Sequence, residues 1–155
     1  MTAITKITAR VKTANVSGAD TGAWVYLGIG GREFLLDSTG ADFTVGADQT
    51  FTFGEGNNVN NPEYNDPHSP QLDTLHVDDF PVYLRFEPSG SEAPWCLDWV
   101  EVTVNPDTNS AQSFVHPSLR GEGERSRIWL DDSYGKSVYL LREGLTRDVL
   151  TTRAK

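Results

Sequence analysis

Short runs of alternating apolar and polar residues recur along this chain and predict β-strands. In the clearest run, Val100, Val102 and Val104 alternate with Glu101 and Thr103, which is the period of a half-buried strand. Shorter or similar runs lie at residues 7–11, 23–29, 34–36, 50–53, 75–77, 82–86 and 137–141. Turn-forming residues separate the runs, and no clear apolar stripe of helical period is present. We therefore predict an all-β fold, an eight-stranded antiparallel β-sandwich with one face of each sheet turned inward.

The apolar face changes parity at the start of the Val100 strand. Trp95, Leu97 and Trp99 share one parity, whereas the valines that follow share the other. Such a change needs an extra residue or a turn, so we predict a turn or bulge at Trp99, with the strand beginning after it. Cys96 lies between two aromatic residues and is predicted to be a buried thiol. It is the only cysteine of the chain, which excludes an intrachain disulfide.

Three segments depart from the strand rhythm. Residues 54–71 contain five asparagines and three prolines, a composition typical of a long exposed loop. Residues 106–126 form a polar insert, and residues 142–155 form a charged C-terminal tail. We therefore expect one domain over residues 1–141, followed by the tail. The loop and the insert are either partner-specific surfaces or solvated insertions without a role.

The net charge of the chain limits the classes of partner that it can bind. It carries 22 acidic and 13 basic residues, for a net charge of −9, which disfavours nucleic acid and favours hard cations. An anionic lipid surface becomes accessible only with bound cations or a local basic patch. No apolar run reaches the roughly 18 to 20 residues of a membrane span, and residues 1–12 lack the apolar centre of a signal peptide. We expect a soluble chain that is not exported by a signal of its own, or a module of a longer protein.

A glycine-containing acidic turn is the strongest candidate for chemistry. Asp37 and Asp42, with Gly40 between them, can curl around one cation, and Ca²⁺ takes about six to eight oxygen ligands that include backbone carbonyls. Asp20 and Thr21 lie in the turn between the first two predicted strands. They can serve the same ion if the two turns meet at one end of the sandwich. An ordinary acidic turn is the alternative explanation of these residues.

The remaining polar and aromatic candidates are weaker. Asp48, in a third short loop, adds another carboxylate. His68, His76 and His116 are scattered along the chain, so no zinc-binding spacing is present. Neither a nucleophile elbow nor a phosphate-binding glycine loop occurs, which argues against an enzyme. Trp24 points away from the apolar face of its strand and is either solvent-facing or covered by a loop. An exposed tryptophan beside an ion site suits a membrane interface.

Four segments, in the right order, resemble PLAT domains, which are also called lipoxygenase-homology domains. Residues 18–27 read GADTGAWVYL, where the family has Gly-Ala-Gly-Thr-x-Ala-x-Val-x-Leu. Residues 43–51 read FTVGADQTF and are similar to the family element Phe-x-x-Gly-x-x-Asp-x-Phe. Residues 94–102 contain Trp-Cys-Leu-x-x-Val-x-Val, and residues 127–130 resemble the Trp-Leu element before the last strand. The resemblance spans about residues 4–141 and implies an eight-stranded antiparallel sandwich of PLAT type.

This resemblance also implies a calcium site. Around residues 36–53 the chain is most similar to the membrane-binding domain of bacterial phospholipase C toxins. The calcium positions of those domains fall here on Asp20, Thr21, Asp37, Gly40 and Asp42.

Three departures from the family pattern concern acidic ligands. Asp20 stands where the family has a glycine in the first loop, and it adds an oxygen ligand. Gln49 stands where the family has aspartate, and Asp48 lies one position earlier. The family segment before the tryptophan is replaced around residues 87–90, where Glu87 is the candidate for an otherwise missing acidic ligand.

The family members bind lipid surfaces or protein partners and occur as accessory domains of lipases, lipoxygenases and toxins. We accordingly expect a non-catalytic calcium-binding module that docks at a lipid or membrane surface, with Trp24 as a contact. The alternative is a protein–protein interaction module, an accessory domain of a larger enzyme or complex in which calcium is only structural. An enzyme built on Asp20, Asp37 and Asp42 lacks an evident nucleophile and base. We expect no nucleic-acid partner, and the oligomeric state stays open.

Overall fold

The structure is a computed structural model that describes residues 1–88, 94–119 and 126–144. Within these ranges the chain forms nine strands, one short α-helix and one short 3₁₀ helix. The strands are β1 (Lys6–Thr13), β2 (Trp24–Ile29), β3 (Arg32–Leu35), β4 (Asp48–Gly54), β5 (Val82–Glu87), β6 (Trp95–Val104), β7 (Gln112–Val115), β8 (Ile128–Leu130) and β9 (Ser137–Arg142). The α-helix, α1, is Thr74–Asp79, and the 3₁₀ helix is Pro62–Tyr64. Neither helix is long and apolar enough to cross a membrane.

The strands form one antiparallel sheet that curls into two layers. Its order is β3-β2-β5-β9-β7-β6-β1-β4, and β8 pairs with the first part of β6. The pairing of β7 with β9 joins the two layers, and buried apolar residues of both layers form one continuous core. The predicted all-β antiparallel sandwich is confirmed.

Trp95 on β6 is the largest fully buried side chain of the core. Its ring centroid lies 6.1 Å from that of Phe86 on β5, in the opposite layer, and 5.0 Å from that of Phe43. The buried indole N–H donates to Thr13 Oγ1 at 2.9 Å, which satisfies a donor that is costly to bury alone. Trp95 thus packs against buried aromatic residues of the opposite layer and of the turn before β4.

The parity change before Val100 is a β-bulge. Opposite β1, the strand partners step from Trp99 to Leu97, so Asp98 is an extra residue in β6. The predicted bulge is confirmed, but the strand already begins at Trp95, so the expectation of a start after Trp99 is wrong. Cys96 is buried as predicted, and burial raises the pKa of its thiol.

The strand predicted at residues 75–77 is wrong, because these residues belong to α1. The side chain of Asp73 accepts hydrogen bonds from the backbone N–H groups of Leu75 (2.8 Å) and His76 (3.3 Å). The His76 ring in turn accepts from the Asp73 N–H at 3.0 Å. This reciprocal capping box outweighs a short alternation of apolar residues. Two strands that the patterns did not predict are β7, inside the polar insert, and β8.

The asparagine-rich segment that we call the strap (residues 55–73) covers the two edges of the curled sheet. β3 and β4 end the strand order, so their outer edges carry unpaired backbone groups. Asn58 Oδ1 accepts from the Thr52 N–H, and Asn58 Nδ2 donates to the Thr50 carbonyl, both at 2.8 Å. Asn65 Oδ1 accepts from the Leu35 N–H at 2.8 Å. These amides replace a neighbouring strand on both edges, because each asparagine side chain both donates and accepts.

The strap therefore differs in part from the exposed loop expected at residues 54–71. Val59, Asn65 and Leu72 are buried, and Val59 and Leu72 belong to the same core cluster as Phe34 on β3 and Phe53 on β4. In the other unusual segments, residues 120–125 of the insert and 145–155 of the tail lie outside the described residues. The expectation of one domain with a separate tail stays a prediction.

Replacing Asn65 with alanine tests the edge closure. The variant loses the acceptor for the Leu35 N–H and the donor to the Asn61 carbonyl at 3.0 Å. Because Asn65 is buried, we expect a loss of about 1–3 kcal/mol in the free energy of unfolding. Asn57→Ala is the matched control, since Asn57 is exposed and its side chain makes only a 3.5 Å contact. Urea unfolding curves that are equally shifted in both variants would contradict the edge-closing role.

Candidate functional site

The predicted site residues follow strand ends that lie together at one end of the sandwich. β1 ends there, and β2 and β4 begin there, so the turns at residues 14–23 and 36–47 leave from the same end. The Thr21 N–H donates to the Phe43 carbonyl at 3.2 Å, and the Gly46 N–H donates to the Ala14 carbonyl at 3.2 Å. The condition that the two turns meet is therefore satisfied. We call this region the acidic end.

The Asp42 side chain accepts several hydrogen bonds within and beside the acidic turn (residues 37–42). Its carboxylate accepts from the Ser38 N–H at 2.8 Å, from the Ser38 hydroxyl, and from Gln49 Nε2 at 2.8 Å. Gln49 Oε1 also accepts from the Phe43 N–H at 2.8 Å. These bonds fold Asp42 back onto the backbone beside Asp37. The two carboxylates of the turn thus belong to one locally bonded unit.

The acidic turn is fastened to the core by Phe43. This residue has a φ of 57°, in the left-handed region that non-glycine residues rarely adopt. Its ring is buried and packs against Phe51 (5.6 Å between centroids) and Trp95. Burial of the ring stabilises the unusual backbone and fixes where the turn ends relative to the sheet.

A residue of the strap also forms hydrogen bonds with the acidic turn. Asn60 Nδ2 donates to Asp37 Oδ2 at 2.9 Å and to the Ser38 carbonyl at 3.0 Å. The Asn60 N–H donates to the Asp37 carbonyl at 2.9 Å. Sequence reasoning missed both Asn60 and Gln49. The only signals were an asparagine-rich segment and a glutamine in an aspartate position.

Asp20, Thr21 and Gly40 lie around this unit. Thr21 is buried, and its hydroxyl oxygen accepts from the Ala23 N–H at 3.1 Å. Asp20 and Gly40 are exposed. Across the described ranges, no three side chains of the types His, Cys, Asp and Glu converge in a way that could hold a metal ion. Asp20, Asp37 and Asp42 therefore do not form a three-carboxylate cluster, although their turns are adjacent.

Asp48 and Glu87 have cationic partners of their own. Asp48 accepts from Arg10 Nη2 at 2.9 Å and from Arg10 Nε at 3.1 Å, on the outer side of β4. This contact lowers the pKa of Asp48 and raises that of Arg10. Glu87 accepts from Arg85, which also binds Glu33 through two 2.8 Å bonds. In the part of the chain that the structure describes, no hydrogen bond joins Asp48 or Glu87 to the acidic turn.

Exposed apolar side chains surround the acidic end. Trp24, the first residue of β2, is 46% exposed, so its side chain is not buried under a loop. Val45, between the acidic turn and β4, is also exposed, as is Tyr134 in the turn between β8 and β9. Tyr134, Pro94 and Trp129 line a shallow, mostly apolar pocket of about 390 Å³. The sequence patterns predicted only Trp24 among these side chains.

Comparison with solved structures finds this fold in parts of larger proteins. The alpha-toxin of Clostridium absonum matches 90% of this chain with a TM-score of 0.56 and 21% identity, over 32% of the toxin chain. An alpha-toxin from an avian strain of Clostridium perfringens matches 89% with a TM-score of 0.54 and 18% identity, over 31% of that chain. Coral 8R-lipoxygenase, described as activated by calcium through a C2-like domain, matches 88% with a TM-score of 0.50 and 16% identity, over 17% of that chain.

These likenesses confirm the predicted PLAT-type fold. This chain spans about a third of the toxin chains and about a sixth of the lipoxygenase chain that it matches. No protein-family model matches the sequence, and a search of curated proteins finds no match.

The ion pair of Asp48 predicts a pH-dependent contribution to stability. Because Arg10 lowers the folded-state pKa of Asp48, the contribution is present above the ordinary aspartate pKa of about 3.9 and is lost as the pH falls through the lowered value. Asp48→Asn is expected to reduce the free energy of unfolding slightly at neutral pH, since the pair is half-exposed. At about pH 2 the difference from wild type should vanish.

Asp20→Asn is the control for this pH series, because Asp20 is exposed and no ion pair involves it among the described residues. It should leave unfolding curves unchanged at both pH values. A stability difference for Asp48→Asn that persists at low pH would show that the ion pair is not its cause.

Proposed function

We propose that this PLAT-type domain is a non-catalytic module that binds calcium at its acidic end and docks there at a lipid or membrane surface. The observation that carries the proposal is the hydrogen bond from the Thr21 N–H to the Phe43 carbonyl. It joins the two turns whose oxygens were expected to bind one cation if the turns meet. The likeness to alpha-toxins, and to a lipoxygenase described as activated by calcium through a C2-like domain, supports the same assignment.

The donor chemistry of the acidic end fits Ca²⁺. Asp37 and Asp42 offer carboxylate oxygens, and Thr21 and Gly40 offer neutral oxygens, all of the hard type that calcium prefers. Asp20, next to Thr21, can add a further carboxylate. We leave Asp48 and Glu87 out of the proposed site, because their charges are already compensated by arginines. Bound calcium would supply the positive charge that lets the acidic end approach phosphate groups of a lipid headgroup.

The net negative charge of the chain opposes binding to an anionic bilayer, and a bound cation would reduce that repulsion. A net charge of −9 repels an anionic bilayer surface. Neutralising carboxylates at one end lowers this repulsion locally, where Trp24, Val45 and Tyr134 are exposed. Tryptophan and tyrosine favour the interfacial region of a bilayer, because their rings are apolar and their N–H and O–H groups stay hydrated.

The histidines of the chain have local structural contacts, which supports a non-catalytic role. His68 Nδ1 lies 2.8 Å from Asp66 Oδ1 in the strap, and His76 completes the cap of α1. His116 Nδ1 accepts from the Ser118 N–H at 3.1 Å. None of these contacts pairs a histidine with a nucleophilic hydroxyl or thiol.

A second candidate function is protein interaction through the outer face of the β3-β2-β5-β9 layer. The Tyr83 ring lies so close to Gly28 that a Cβ there would come within 2.1 Å of it. The Tyr139 ring centroid lies 6.0 Å away, and Tyr139 is 62% exposed. Exposed aromatic side chains of this kind are enriched at protein interfaces. In this alternative, calcium only stabilises the turns.

Liposome co-sedimentation with calcium and with chelator tests the proposed function. Wild type is expected to sediment with anionic vesicles in calcium and to stay in the supernatant in chelator. Asp37→Asn should lose the calcium-dependent fraction, because a ligand charge is removed, while Asp48→Asn should retain it. Calcium at 100 times its dissociation constant stabilises a fold by about 2.7 kcal/mol, so a rise of several degrees in Tm is expected in the same buffers.

Each result separates the two candidate functions. Equal vesicle binding in calcium and in chelator would contradict calcium-dependent docking. A calcium-induced rise in Tm without vesicle binding would favour the protein-interaction module instead.

Replacing Trp24 with alanine tests the contact with the membrane. We expect vesicle binding in calcium to fall by about tenfold, which corresponds to the lost burial of a large aromatic side chain. The calcium-induced rise in Tm should stay unchanged. Leu75→Ala is the control, since Leu75 is similarly exposed on α1 at the opposite end. Equal losses in both variants would show that vesicle binding is not localised at the acidic end.

A further inference from the structure

Asn60 makes more hydrogen bonds to the acidic turn than any residue outside that turn within the described ranges. Its side-chain amide donates to Asp37 Oδ2 and to the Ser38 carbonyl, and its backbone N–H donates to the Asp37 carbonyl, at 2.9 to 3.0 Å. Asn60 is partly buried. One residue of the strap therefore holds both the backbone and the carboxylate of Asp37.

The strap can hold Asp37 because it is itself fixed on both sides of Asn60. Before it, Asn58 is bonded to the edge of β4, and after it, Asn65 is bonded to the edge of β3. Val59, next to Asn60, is buried in the core. Asn61 has a φ of 50°, so the chain turns sharply directly after Asn60. Asn60 thus projects from a short, anchored stretch, and its amide loses little entropy in binding Asp37.

The amide chemistry of Asn60 suits a residue that orients a cation ligand. It binds Oδ2 of Asp37, and no described residue donates to Oδ1. A donor on one carboxylate oxygen fixes the rotation of the group and leaves the second oxygen for a metal ion. Outer partners of this kind typically change metal affinity by about 10- to 100-fold.

We propose that Asn60 is a positioning residue for calcium, which acts by holding the Asp37 carboxylate in the orientation that the ion requires. This inference rests on the proposed function, because it assigns a role toward the same cation. It adds a residue from the strap, a segment that the family motifs do not include.

Calcium titration of the purified chain by isothermal titration calorimetry tests the proposal. Asn60→Ala removes both side-chain bonds and keeps the backbone bond. We expect its Kd for calcium to rise by about 10-fold or more, with the number of bound ions unchanged. Asn58→Ala is the matched control, because Asn58 belongs to the same strap and bonds only to β4. It should lower Tm in chelator but leave the Kd within about twofold of wild type.

The outcomes distinguish this inference from the proposed function. A wild-type chain that binds no calcium overturns the calcium site and the role of Asn60 together. Calcium binding by wild type with the same Kd in Asn60→Ala overturns the role of Asn60 alone. The loss of one bound ion would make Asn60 a direct ligand and also overturn the positioning role. If Asn60→Ala does not fold, Asn60→Ser replaces it; a Kd higher than that of wild type then supports the positioning role, and an unchanged Kd overturns it.

Discussion

The burial of Trp95 is the contact on which the rest of the structure depends. Its ring packs between the two layers against Phe86, and its indole N–H is satisfied by Thr13 at the end of β1. It also packs against Phe43, the residue that ends the acidic turn in a left-handed conformation. The same side chain therefore joins the layers and fixes the proposed site to the core. Turns are more mobile than the strands they connect. Packing against a buried side chain therefore fixes the positions of the side chains that a turn carries.

Closure of the sheet edges is the second constraint. A curled sheet with β3 and β4 at its ends leaves two rows of unpaired backbone groups. In this chain, asparagine side chains of the strap, rather than a further strand, form hydrogen bonds with these backbone groups. The strap contacts the edge of β4 through Asn58 and the edge of β3 through Asn65. Between these two contacts, Asn60 donates a hydrogen bond to Asp37 of the acidic turn. Edge protection and placement of the proposed cation ligand thus depend on the same short segment.

The acidic residues divide into two groups with different consequences. Asp48, Glu33 and Glu87 are paired with arginines on the outer faces of the sheets, where they contribute modestly to stability. Asp37 and Asp42 are held by neutral donors only, so their negative charges are oriented but not compensated. This difference is the physical reason to expect a cation at the acidic end and not at the outer faces.

Alternation of apolar residues was sufficient to predict the all-β sandwich and the turn or bulge near Trp99, because side-chain parity is a local property of a strand. The burial of Cys96 was predicted from its aromatic neighbours instead. Whether the Thr21 and Asp42 turns share one end was only a condition of the predicted site, and the tertiary structure satisfies it. Only the tertiary structure decided that residues 75–77 are helical, that Asp48 faces Arg10 and that Asn60 binds Asp37. Those outcomes depend on capping partners and on contacts between residues far apart in the chain, which no local period encodes.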